Sequence, residues 1–322
     1  MGNGERSPAK GRADQLRAAS PDVVTVPRSP IPIPRRSRPG FRYLAGAPLL
    51  IAHRGGSGLA PENTLFTFRR ALQWWRADVL EIDVQPTRDG DAVVIHDPTL
   101  DRTTDGGGPV VEHTVRELAE LDAGCRYTPD GGATFPFRGA GVRLSTLREV
   151  LEALPHARVN VEIKDARAQE PVWETVRALG AEQRVLIAAG DRGNRKRFAA
   201  YPGPVSAAAQ EMYAFFALHK VGLGRFYRPS VDAWQMPDRH GSLQVLDPRW
   251  VREAHAKNVA VHVWTIDEVE DMRRLLAWGV DGIVSDRPDR LARVLHDVVG
   301  RPLPPGPPAG EVEPWLARLL RA

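Results

Sequence analysis

Residues 49–84 read LLIAHRGGSGLAPENTLFTFRRALQWWRADVLEIDV. The first four are apolar, the length and character of a buried strand. A glycine-bearing turn follows. Helical periodicity then runs over 64–76, with Asn63 or Thr64 placed to cap its first turn. At 79–84 valine, leucine and isoleucine alternate with acids, the period of a strand. Strand, helix and strand in that order form one βα unit and the start of the next, which is how a parallel sheet covered by helices is built.

Outward from this unit the alternation continues. Further strands are expected at 159–163, 185–189, 205–208, 231–235, 259–264 and 282–285. Helical periodicity recurs at 146–154, 171–179, 194–200, 212–219, 248–257, 269–278 and 288–298. Eight such units in about 250 residues are the arithmetic of a (β/α)8 TIM barrel, an α/β fold whose active site lies at the C-terminal ends of the strands. A doubly wound open sheet has the same element order and is the alternative. One interval breaks the alternation. Residues 97–143, rich in Gly, Pro, Asp and Thr, read as a loop-rich insertion after the second strand, lying over the barrel mouth.

The ends differ from this body. Residues 1–46 are basic and proline-rich, a composition expected to stay disordered. Residues 300–322 read as a Pro/Gly linker and a short C-terminal helix, leaving 47–299 as the catalytic domain. The chain carries a net charge of +4, but residues 1–47 hold nine Lys or Arg against three acids, so +6 belongs to the leader and about −2 to the rest. A slightly acidic body without an interleaved basic and aromatic groove argues against a nucleic-acid partner. The single cysteine, Cys125, excludes an intramolecular disulfide. No apolar run approaches the length of a transmembrane helix, and the N-terminus lacks the apolar core of a secretory signal. A cytoplasmic protein is expected, with peripheral membrane contact left open.

Glu81 and Asp83 stand two apart on one strand, so both side chains point to one face and repel unless a cation lies between them. Glu162, in VNVEIK, reaches the same mouth from the next barrel strand. Three carboxylates without cysteine, or histidine at metal-ligand spacing, describe a hard oxygen site for Mg²⁺, Ca²⁺ or Mn²⁺ rather than Zn²⁺. The plainer alternative is that these acids cap helices or pair with Arg54 and Lys164. His53 ends the first strand and His96 ends a hairpin arm, DAVVIH, entered through a turn at 88–90. Phosphodiester hydrolysis needs one group to take a proton from the nucleophile and another to give one to the leaving oxygen, a task for two histidines. Arg54 and Lys164 offer fixed positive charge to a phosphoryl group.

These words occur together in an order that resembles the glycerophosphodiester phosphodiesterase family. The markers are AHRG at 52–55, PENT at 61–64, LEIDV at 80–84, HDPTLDRTTDG at 96–106, LDAG at 121–124, VEIK at 161–164, VHVWT at 261–265 and GVDGIVSDRPD at 279–289. The resemblance implies a general acid/base pair in His53 and His96, and metal ligands in Glu81, Asp83 and Glu162. It also implies phosphate contacts from Arg54 and Lys164, site support from Glu62 and Asn63, and an aromatic, Trp264, against the substrate. The implied reaction is hydrolysis of a glycerophosphodiester to an alcohol and sn-glycerol 3-phosphate with one divalent cation. Which histidine is acid and which is base stays open. Two alternatives are a lysophospholipase D-type activity on lysophospholipids and a non-catalytic phosphate-ligand or membrane-surface binding protein. His262 is expected in the core, and Gln235 either fills the barrel or meets substrate. Residues 212–229 read as a helix and loop packed on the barrel, or alternatively as an apolar lip for a lipid chain.

Overall fold

The computed structural model describes residues 1–2, 40–308, 316 and 320. The leader expected to be disordered, apart from residues 1–2 and 40–46, and most of the expected C-terminal helix lie outside the described residues. Strand β1 (Leu49–Ala52) pairs in parallel with β2 (Val79–Pro86), which carries the short antiparallel arm β3 (Ala92–Val94) and pairs on its other side with β4 (Arg158–Ile163). β5 (Val185–Ala188) follows β4. From the other side of β1 the parallel order runs through β10 (Gly282–Ser285) and β9 (Ala260–Trp264) to β6 (Ala233–Pro237). A two-residue hairpin pair, β7 (Arg239–His240) and β8 (Leu243–Gln244), stands beyond β6.

Parallel bridges Ile187↔Val205 and Ser206↔Ala233 join the two ends of this order. The stretch expected as a strand at 205–208 therefore closes the sheet, and the open-sheet alternative is excluded. Its amides and carbonyls complete the ladder: Ser206 N–H donates to Ile187 O at 2.9 Å, and Ala207 N–H to Ala233 O at 2.9 Å. The chain is an α/β barrel.

Strand period two divides the barrel into inside and outside. Leu49 and Ile51 of β1, Val79 of β2, Leu186 of β5, Ala233 of β6, Ala260 of β9 and Val284 of β10 pack on each other within the barrel. The alternate residues, among them Leu50, Leu80, Ile82, Val161, Ile187, Val263 and Ile283, meet the helices. Those helices are α1 (Leu65–Trp75), α3 (Leu147–Ala153), α4 (Gln169–Ala178), α5 (Ala209–Lys220), α6 (Pro248–Ala256), α7 (Val269–Trp278) and α8 (Pro288–Val299). Between β5 and the closing strand, where helical periodicity covers 194–200, the chain instead forms a 3-10 run, Arg192–Ala200, kinked at Arg195 and Phe198. Gly193 and Asn194 are poor helix formers, and Arg195 and Arg197 are drawn to Glu211 and Glu170 on neighbouring helices, so a regular α-helix has little to favour it.

The insertion at 97–143 is more ordered than its composition suggests. It holds a 3-10 turn, Val110–Glu112, and a short helix, α2 (Val115–Leu118), started by a Thr114/Glu117 capping box. Leu100, Val110, Leu118, Ala123, Phe137 and Val142 make a small apolar cluster of their own with Val93 and Ile95, against Phe66 of α1. At the opposite end of the barrel Arg42–Leu44, inside the stretch read as leader, forms a 3-10 turn that buries Tyr43 completely beneath the interior residues. Leu316, from the C-terminal stretch, is 2% exposed against Leu59, Trp74 and Trp75. Among the described residues no helix is long and apolar enough to cross a membrane.

Candidate active site

Inward parity selects the candidate residues. Leu49, Ile51 and His53 follow one another on β1, Val79, Glu81 and Asp83 on β2, and Asn160, Glu162 and Lys164 on β4. Each series begins in the packed interior and ends in charge at the mouth.

After β1 the chain turns through His53–Gly55, with Arg54 at φ 50° and Gly55 at φ 87°. A Cβ on Gly55 would stand 2.7 Å from Phe68 Cδ1, so this left-handed corner admits only glycine. The corner aims the Arg54 amide at Glu81, donating to Oε2 at 2.9 Å. The Arg54 carbonyl accepts the Asn63 amide at 2.9 Å. Asn63, itself at φ 57°, brackets Asp83: its Nδ2 donates to Oδ2 at 2.9 Å and its Oδ1 accepts the Asp83 amide at 3.3 Å. Thr64, not Asn63, caps α1.

Oxygens of Glu81, Asp83 and Glu162 lie within 4.8 Å of one another. None of the three caps a helix. Ion pairs with Arg54 and Lys164 are nonetheless made, as the plainer alternative held: Lys164 Nζ lies 2.9 Å from both Asp83 and Glu162, and Arg54 Nε 3.3 Å from Asp83. Burial and the neighbouring Asp83 push the Glu81 carboxyl up to about 8. Burial would raise Asp83 too, but Lys164 and Arg54 outweigh it and hold that carboxyl below the usual range. Three acids against two cations leave one uncompensated negative charge, and Glu81 carries its cost as a raised proton affinity. An all-oxygen set so placed can hold a hard cation.

Each histidine is gripped through Nδ1. His53 Nδ1 lies 2.7 Å from Asp286 Oδ1, and its Nε2 faces Glu81 at 3.9 Å. Burial works against a charged His53, but the Asp286 bond and Glu81 prevail and raise its pKa to about 9. Asp286 is held in turn by the Ser57 hydroxyl and, through its amide, by Asp267 at 2.8 Å. His96 Nδ1 lies 2.6 Å from Asp97 Oδ1, while Gln85 Nε2 fixes the His96 carbonyl at 2.9 Å. Asp97 also accepts from Arg102, and that bond, with His96, holds its carboxyl down at about 2. Glu62 accepts from Arg54 at 2.9 Å and from both terminal nitrogens of Arg102 at 2.7 Å.

Nine expected residues thus meet in one network: His53, Arg54, Glu62, Asn63, Glu81, Asp83, His96, Glu162 and Lys164. The tenth, Trp264, follows Ala260 and His262 on the inward parity of β9 and ends that strand, 44% exposed and level with Pro237. His262 is fully buried, its ring 6.1 Å from Tyr43, with Gln235 within 3.5 Å of its Nδ1. The first half of 212–229 belongs to helix α5, which packs Phe215 on Trp234 and Trp250. It runs antiparallel to the strands, so exposed Val221, Leu223 and Phe226 lie at the barrel end opposite the site.

Asp286, Asp97 and Arg102 are absent from the candidates drawn from sequence. Asp286 was within reach: Gly282, Val284 and Asp286 continue one parity past the end of β10, as His53 does past β1.

Comparison with known proteins agrees with this architecture. The model of the glycerophosphoryl diester phosphodiesterase family matches residues 53–290. A glycerophosphodiester phosphodiesterase of Caldanaerobacter subterraneus subsp. tengcongensis is 34% identical over 261 residues, covering 77% of this chain and 98% of the relative. The glycerophosphoryl diester phosphodiesterase domain of an uncharacterized Mycobacterium tuberculosis protein superposes with a TM-score of 0.70 at 20% identity, over 78% of this chain and all of that one. A glycerophosphodiester phosphodiesterase from Agrobacterium tumefaciens superposes at 0.59 with 26% identity, over 76% of this chain and 99% of that one. The barrel and the matched sequence define a phosphoric diester hydrolase. The chain belongs to the glycerophosphodiester phosphodiesterase family.

Proposed function

We propose that the chain hydrolyses small glycerophosphodiesters to an alcohol and sn-glycerol 3-phosphate, with His53 and His96 moving the protons. Glu81, Asp83 and Glu162 would hold one divalent cation, Mg²⁺, Ca²⁺ or Mn²⁺, which would supply Lewis acidity to the reacting phosphodiester. The donor set suits it. Three carboxylates with Arg54 and Lys164 carry a formal −1, hostile to an anionic diester, and a divalent charge turns this to +1.

The side chains divide the remaining work. Asp286 and Asp97 occupy Nδ1 of the two histidines and leave Nε2 of each for the reacting oxygens. One imidazole takes the proton of the attacking hydroxyl or water, and the other protonates the departing alcohol. Arg54, held by Glu62 and Asp83, and Lys164, held by Asp83 and Glu162, offer positive charge to the phosphoryl oxygens from fixed positions. Fixed charge costs little reorganisation when negative charge develops.

The observation that carries the reading is the junction of the carboxylate triad with two histidines, each pinned through Nδ1. His53→Ala and His96→Ala should each abolish release of sn-glycerol 3-phosphate from glycerophosphocholine while retaining the wild-type circular dichroism spectrum. Substantial turnover by either variant would remove that histidine from the mechanism.

A further inference from the structure

We propose that Arg102 is a positioning residue that locks the acid/base His96 to the phosphate-facing Arg54, so that the insertion sets the geometry of both. The inference rests on the functional reading above and concerns a side chain that it leaves without a task.

Arg102 belongs to the insertion and projects over the mouth with 47% of its side chain exposed. An exposed arginine beside a phosphate site invites the reading of a direct phosphate ligand. Its hydrogen bonds say otherwise. Nε donates to Asp97 Oδ2 at 2.6 Å and Nη2 to Asp97 Oδ1 at 3.1 Å. Nη1 donates to Glu62 Oε2 at 2.7 Å and Nη2 to Glu62 Oε1 at 2.7 Å. Guanidinium has five N–H bonds, and these four contacts leave one free. The group is a double fork, occupied on both edges by carboxylates.

Each carboxylate passes the constraint on. Asp97 Oδ1 lies 2.6 Å from His96 Nδ1, and Glu62 Oε1 accepts from Arg54 Nη1 at 2.9 Å. His96, Asp97, Arg102, Glu62 and Arg54 therefore form one continuous chain of charge-assisted contacts. It runs from the hairpin arm through the insertion to the turn after β1. Forked bonds fix orientation as well as distance, which a point charge does not. With Arg102 removed, Asp97 and Glu62 keep their other partners but lose the common reference that sets one against the other.

The test is steady-state hydrolysis of glycerophosphocholine by the full chain, comparing wild type, Arg102→Ala and Arg102→Lys, with thermal melting of each. Arg102→Ala should lower kcat by about 10- to 100-fold, the range for outer partners of a catalytic group, with KM changed by less than about 3-fold, as expected of a residue that makes no substrate contact. Added guanidinium chloride in the low millimolar range should restore part of the lost kcat. Arg102→Lys should stay impaired, because one ammonium cannot fork to two carboxylates. If Arg102→Ala does not fold, Arg102→Lys decides. A folded variant of either kind with wild-type kcat would overturn the proposal. So would a loss expressed mainly in KM, which marks a direct substrate contact. An inactive wild type would refute the functional reading and this inference with it, whereas an active wild type with unimpaired variants would refute this inference alone.

Discussion

Asp286 decides which nitrogen of His53 faces the carboxylates. With Nδ1 engaged at 2.7 Å, the tautomer and the ring plane are both set, and Nε2 is left toward Glu81. Asp286→Asn keeps the shape but exchanges an acceptor for a group that can also donate, so the ring can settle in the wrong tautomer. We expect kcat to fall roughly 10- to 100-fold with the melting temperature little changed, as read by steady-state kinetics beside calorimetry. A variant at wild-type kcat would show that the contact is structural only. At this scale the sequence was legible where chemistry and spacing coincide. Glu81 and Asp83 are two apart in an apolar strand, and His53 follows a strand directly. It was not legible where the partner is distant. His53 and Asp286 are separated by 233 positions and Arg102 and Glu62 by 40; the pairing of β1 with β10 brings the first two together, and the fold of the insertion over the turn after β1 brings the second two together.

Among the elements, β2 and the insertion carry most of the consequence. β2 has the helix-facing residues Leu80, Ile82 and Val84 fully buried, which fixes its register and so sends Glu81 and Asp83 inward. A slip of one residue would turn both acids onto the helices. The insertion contributes Asp97 and Arg102 from a segment whose Gly, Pro and Asp content reads as loop. Its order comes from apolar residues scattered too widely to show periodicity, such as Leu100, Val110, Leu118 and Phe137, which meet only in three dimensions. Leu100 is fully buried there. Leu100→Ala should cost about 2–5 kcal/mol by chemical denaturation and lower activity at temperatures where the barrel stays folded, through displacement of Arg102. If the stability loss were confined to a few tenths of a kcal/mol, the insertion would not be a packed unit.

For the whole molecule, closure by the 205–206 bridges makes a continuous barrel with charge at one end and a plug at the other. The plug is Tyr43, fully buried under the interior residues although it belongs to a basic, proline-rich stretch with no pattern of its own. Composition hid it, because a single anchoring aromatic leaves composition and periodicity unchanged. Tyr43→Ala should destabilise the barrel by about 3–5 kcal/mol, measured by denaturant unfolding, while the residual folded enzyme keeps its kcat, since the plug lies away from the mouth. The eight-unit alternation was legible because β-branched runs and helical periodicity repeat along the chain; the 3-10 run at Arg192–Ala200 departs from it where Gly193 and Asn194 weaken the helix. The carboxylate triad at the mouth is expected to need a divalent cation before the barrel can turn over a phosphodiester. The direct measurement is release of sn-glycerol 3-phosphate from glycerophosphocholine by the purified chain, before EDTA, in EDTA, and after Mg²⁺, Ca²⁺ or Mn²⁺ is returned in excess, with Glu81→Ala alongside. Turnover should stop in EDTA, return with at least one of these cations, and fail to return in Glu81→Ala; undiminished turnover in EDTA would show that no such cation is needed.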